Sequence, residues 1–122
     1  MKHLPKISVA FAVAGLLAMG SSAQGHHSFA MFDNTKDLTL VGTVKEFQWT
    51  NPHTWLQVMV DESGKQVEWS IEGSSPNGLA RRGWSRTSFK PGDKVTVIVH
   101  PLKDGSKGGS YVKATLPDGK TL

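Results

Sequence analysis

The chain has 122 residues, no cysteine, and 14 Lys and Arg against 10 Asp and Glu, a formal charge of +4. Without cysteine there are no disulfides, no thiolate metal sites, no thiol nucleophile and no lipid attachment through an N-terminal cysteine. The length suits one small domain with an ordinary hydrophobic core, and the charge argues against a polyanion partner: once Lys2 and Lys6 leave with a cleavable leader, it falls to about +2.

That leader is read from the order of residues. Met1 to Lys6 is basic, Ile7 to Met19 is apolar, and Gly20 to Gly25 is small and polar, the arrangement of a secretory signal. The apolar run is shorter than the roughly 20 residues of a membrane span. The expectation is therefore a cleaved signal over residues 1–25, a periplasmic or secreted protein, and no stable membrane anchor. Small residues suit a peptidase in two registers, one cutting after Ala23 and one after Gly25. Residues 26–37 then form an N-terminal arm and residues 38–122 the folded domain.

From Leu38 the pattern is strands separated by turns. "LTLVGTVKEFQW" is β-branched and aromatic, and its alternation changes phase between Val44 and Phe47, so a bend or bulge is expected there. After "TNPH", the strand "TWLQVMVD" places Leu56, Val58 and Val60 on one face. The turn "ESGK" leads into "QVEWSIE", with Val67, Trp69 and Ile71 inward and Glu68, Ser70 and Glu72 on a solvated face. "SSPNGLARRG" has the signals of a short helix: a serine cap, Pro76 at the first helical position and Gly83 at the end. "FKPGD" is a turn, "KVTVIVHP" a strand with Val95, Val97 and Val99 inward, "LKDGSKGGS" a mobile loop, and "YVKATL" a last strand with Val112, Ala114 and Leu116 on its apolar face. Three strands, a short helix and two strands, with a long bent first strand, is the element order of an OB-fold. The expected fold is all-β with one short helix, a five-stranded OB-like Greek-key barrel, and a small antiparallel sandwich is its competitor.

The chemistry-bearing residues begin at the leader's end. A cut after Ala23 exposes Gln24-Gly25-His26, whose amine, amides and imidazole suit square-planar Cu(II) or Ni(II). A cut after Gly25 puts His26 first, with His27 or a distant histidine as a further ligand. His53, in the loop between the first two strands, and His100, at the end of the fourth, border the usual OB binding face and complete the candidate metal set His26, His27, His53 and His100, with copper as the expected metal. Against this stand a loose terminus, a histidine capping the "NP" turn, and a surface histidine. Trp49, Asn51 and Trp55 around the first loop, with Arg81 and Arg82 on the helix, are the candidate contacts for a protein or small-ligand partner. Trp69 and Trp84 read as core. Glu68 and Glu72 share a face but lie roughly 13 Å apart, too far for paired-carboxylate catalysis. No nucleophile elbow, Walker, Rossmann or H-E-x-x-H motif is present, so the reading is a binding module and not an enzyme. Export and the small net charge argue against nucleic acid.

The strings "HHSFAMFD", "GTVKEFQWTNPHTWLQV", "WSIEGSSPNGLARRGW", "FKPGDKVTVIVHPLKDG" and "GSYVKATLPDGK" together resemble a family of small exported bacterial proteins that share a domain of unknown function. The resemblance covers nearly all of the chain after the leader. It implies an exported single-domain β-barrel and brings no established activity with it.

Overall fold

The computed structural model describes residues 29–122. The segment read as a signal and the pair His26–His27 lie outside those residues. A 3-10 turn at Phe29–Met31 is followed by β1 (Leu38–Gln48), β2 (Trp55–Glu62), β3 (Lys65–Glu72), the helix α1 (Pro76–Ala80), β4 (Lys94–Pro101) and β5 (Gly108–Thr115).

The strands close into a barrel in the order β1-β2-β3-β5-β4. All neighbours are antiparallel except β3 and β5, whose parallel pairing runs from Ser70–Gly108 to Glu72–Ser110. This is the expected OB-like Greek-key barrel, closed by a β3–β5 pairing of three residues from each strand. Inward-facing side chains fill it: Leu40, Val44, Leu56, Val58, Trp69, Ile71, Val95, Val97 and Val99 are all buried. Among the described residues no helix is long and apolar enough to cross a membrane.

Strand β1 serves two partners, pairing with β4 along Leu38–Thr43 and with β2 along Gly42–Gln48. Its register slips between Val44 and Glu46, where the alternation in the sequence changes phase. The extra residue, Lys45, lets one strand bend around the barrel and join both halves. The β2–β3 turn is equally local in origin: Ser63 and Gly64 take φ of 54° and 83°, and the Asp61 carboxylate accepts the Gly64 N–H at 2.8 Å. At α1, Ser75 accepts the Gly78 N–H at 3.2 Å and Pro76 opens the helix, as the cap pattern predicts.

The last strand departs from expectation at two points. It begins at Gly108, inside the stretch read as a mobile loop. Gly108 and Gly109 are buried because neighbouring strands press on them: a Cβ on Gly109 would lie 2.7 Å from the His100 carbonyl oxygen, and one on Gly108 would lie 2.8 Å from that of Ser70. Val112, expected on the apolar face, is 42% exposed. The register passes from Ile98–Lys113 to Val99–Tyr111, so Val112 is the extra residue of a bulge and tips outward. Tyr111 takes the inward place and packs on the core.

Candidate functional site

The parallel pairing of β3 and β5 ends at Glu72 and Ser110, and beyond it the two chains part. Gly73 and Ser74 on one side and Tyr111 and Val112 on the other border a cavity of about 360 Å³, within the lower range of small-molecule sites. Leu56, Ile71 and Phe89 form its floor, Leu79 and Arg82 of the helical segment close one side, and Phe32 reaches it from the N-terminal arm. The arm is held there by backbone bonds from Asp33 N to Pro101 O at 2.8 Å and from Lys103 N to Met31 O at 3.0 Å.

The wall is largely aromatic. Trp84 stands edge-on to Tyr111 at 5.2 Å and to Phe89 at 5.6 Å, and Phe89 stands edge-on to Phe47 at 5.2 Å. Such edge-to-face contacts are favoured by the ring quadrupoles. Trp84 and Phe89 therefore belong to the core and to the cavity at once.

The polar side of the cavity is built by a short zipper between the start of β2 and the end of β3. Thr54, buried, gives its N–H and its hydroxyl to the Ser74 carbonyl at 3.1 and 2.8 Å, and the Gly73 N–H returns to the Thr54 carbonyl at 2.8 Å. The Thr54 hydroxyl occupies the space a Cβ on Gly73 would need. Thr50 Oγ1 donates to the His53 carbonyl at 2.8 Å and shapes the preceding turn. These bonds lay the His53 ring over the end of β3, where Nδ1 is 3.1 Å from the Gly73 carbonyl oxygen and Nε2 is 3.5 Å from Glu72 Oε1. A carbonyl only accepts, so Nδ1 carries a proton and Nε2 faces the carboxylate.

Of the sequence candidates, His53 and Arg82 line the cavity. Arg82 is exposed and donates to Ser74 Oγ at 3.1 Å. Trp55 sits beside Glu72 in the β2–β3 register, on the outer face. Trp49 packs edge-on against Phe47 at 5.8 Å. Asn51 is exposed in the turn, and Arg81 is the exposed C-cap of α1. His100 is engaged elsewhere, with Nδ1 3.0 Å from the Lys36 carbonyl oxygen and 3.3 Å from Asp37 Oδ1. Its pairing with Ser110, which pairs in turn with Glu72, sets His100 two strand spacings, roughly 10 Å, from the partner of His53. Among the described residues no three His, Cys, Asp or Glu side chains come together as a metal site.

Glu72 is the residue that sequence reasoning misplaced. Period-2 alternation assigns it to the solvated face, yet its side chain is only 9% exposed. It ends β3, with Trp55 and Ser110 beside it in the sheet and the His53 ring folded over it. Glu68, on the same face four residues earlier, is bound instead to Lys45 at 2.6 Å.

Tyr111, the chain's one tyrosine, supplies a test of this geometry. Burial pushes its phenol well above the ordinary value of 10.0, against smaller lowering contributions from the Ala114 backbone and the Arg82 charge. The folded state keeps the phenolic proton where the unfolded chain has lost it. Stability from this group is thus complete below about pH 10 and declines as pH rises beyond that. Absorbance at 295 nm should show no tyrosinate in the native protein at about pH 10.5, the band growing in only with unfolding. A native protein half-ionised near pH 10 would contradict the buried placement.

Fold and site together define a small OB-like barrel with an aromatic cavity at the seam between its two parallel strands. The chain belongs to a family of unknown function (DUF6152), whose model matches residues 13–112. Comparison with curated proteins finds no match. Among solved structures, the mitochondrial single-stranded DNA binding protein Rim1 of S. cerevisiae is similar at a TM-score of 0.49 and 14% identity, over 67% of this chain and 94% of that one.

Proposed function

We propose that this protein is an exported, non-catalytic binding module that holds a small molecule with an apolar body in the β3–β5 cavity. The observation that carries the reading is the cavity itself, about 360 Å³ with a wall of aromatic rings and a few convergent polar groups. Export is inferred from the basic, apolar, small-residue order of residues 1–25. Nucleic acid is disfavoured by the outer face of β1 to β3. It carries Glu46 and Glu68, and Lys45 beside them is bound to Glu68. Phosphates would meet net negative charge there.

Trp84 lines the cavity, so tryptophan fluorescence reports occupancy. The neutral probe 2-phenylethanol should change the emission saturably. Val112→Trp, which enlarges a half-exposed residue at the rim, should abolish binding while the circular dichroism stays that of the native barrel. Failure of the wild-type protein to bind, or unchanged binding in the variant, would count against the cavity as the site.

A second reading, a Cu(II) site on His26 and His27 completed by His53, draws on two observations. The Gly73 carbonyl at 3.1 Å from His53 Nδ1 orients the ring through its other nitrogen, as the outer partners of metal-bound imidazoles do. Phe32, five positions after His27, lines the same cavity, and five extended residues span at most about 18 Å. The processed protein titrated with Cu(II) should show a d–d band that weakens in both His26→Ala and His53→Ala. A band insensitive to both changes, or no band, would remove this reading.

A further inference from the structure

We infer that the cavity selects an organic cation, an ammonium group carried on an apolar body, with Glu72 as its counter-charge; this rests on the cavity being the binding site. Glu72 lines the cavity and its side chain is only 9% exposed. Among the described residues no lysine or arginine forms an ion pair with it, and His53 Nε2 stands 3.5 Å away, well beyond the 2.7–2.9 Å of a charge-assisted hydrogen bond. A carboxylate withdrawn from water is costly unless donors and opposite charge surround it. None of its oxygens is wholly buried without a partner, so a ligand that brings N–H donors and positive charge would take the place of the little solvent that still reaches it.

The wall points the same way. Trp84 meets Tyr111 at 81° and Phe89 at 65°, so the rings form corners and not a stack. Aromatic faces attract cations, Trp most strongly. The competing feature is Arg82, which would favour an anion. It is exposed, however, so solvent screens its charge, and its guanidinium already donates to Ser74 Oγ at 3.1 Å and to the Gly78 carbonyl at 3.4 Å. An anionic head placed in the cavity would meet the buried Glu72 without that screening. The charge that is least exposed decides the sign of the ligand.

Three probes with a similar phenyl body separate the possibilities: phenethylamine, 2-phenylethanol and 3-phenylpropionate, each titrated into the full-length processed protein at low salt and followed by Trp fluorescence. The amine should bind at least about tenfold tighter than the alcohol, and the acid weakest. Glu72→Gln should lower amine affinity by about tenfold or more and leave alcohol affinity within about twofold. Tightest binding of the acid, or an amine no better than the alcohol, overturns the inference and leaves the cavity reading standing. Binding of none of the three overturns both. Should Glu72→Gln fail to fold, the head-group order in the wild-type protein decides the matter alone.

Discussion

Replacing Phe89 with alanine should lower the stability of the barrel by about 3–5 kcal/mol, among the largest effects expected of a truncation in the described residues. Phe89 is 2% exposed and touches the rings of Phe47 and Trp84 edge-on at 5.2 and 5.6 Å. Truncation removes the buried ring and both aromatic contacts, and leaves a hole that its neighbours cannot close. Those neighbours belong to β1 and the α1–β4 connection, which the barrel pairing holds apart. A domain of this size has only about 5–15 kcal/mol in total. With each 1 kcal/mol shifting Tm by about 4–8 °C, the melting temperature should fall by at least about 12 °C. Val41→Ala is the control. Val41 is 65% exposed on the outer face of the same sheet, and its loss should change stability by less than about 0.5 kcal/mol. Equal effects of the two substitutions, measured by urea denaturation, would mean that the aromatic group is not the core it is described to be.

The second large effect is expected at Gly42, where Ala should destabilise by about 1–3 kcal/mol and Val by more. A Cβ at this position would collide with the Met59 carbonyl oxygen and come within 2.8 Å of Val58 Cγ1. The carbonyl belongs to the β1–β2 ladder, in which Gly42 lies opposite Val60. It cannot retreat without opening that ladder beside the Lys45 bulge. Gly92 provides the contrast: it has φ of 92° and open space around the Cβ position, so alanine there suffers only the left-handed penalty of about 1–2 kcal/mol. Amide hydrogen exchange separates the two mechanisms. Gly42→Ala should speed exchange along β1 and β2, whereas Gly92→Ala should leave both strands protected. Loss of protection confined to the β1–β4 side in the Gly42 variant would contradict the steric account.

Much of the barrel is legible in the amino-acid order because its determinants are local. The inward sets of β2 and β4 follow from period-2 alternation, and both are buried as expected. The β1 bulge follows from a break in that alternation. Pro76 and Ser75 announce α1 through the missing N–H of one and the cap of the other. The register of β5 is less legible. "GGSYVKATL" carries glycines that look like a loop, and the bulge that turns Val112 outward lies opposite the step from Ile98 to Val99, in a strand that gives no local sign of it.

The candidate site divides along the same line. His53 and Arg82 stand out as residue types in loops and helix ends, and both line the cavity. The aromatic wall of Phe47, Trp84, Phe89 and Tyr111 is hidden, because its members come from β1, the α1–β4 connection and β5, and only the barrel brings them together. Glu72 is hidden more deeply, since alternation alone sends it to water. Three contacts with distant parts of the chain bury it: the His53 turn folding back, Trp55 across the β2–β3 ladder, and Ser110 from a strand that arrives only after the whole of α1 and β4. The amino-acid sequence by itself determined which residues point into the barrel and where the chain turns, because pleat, cap and turn act over a few residues. Only the tertiary structure decided that β3 and β5 lie parallel and then part, and with that which carboxylate is taken out of water and which rings surround it.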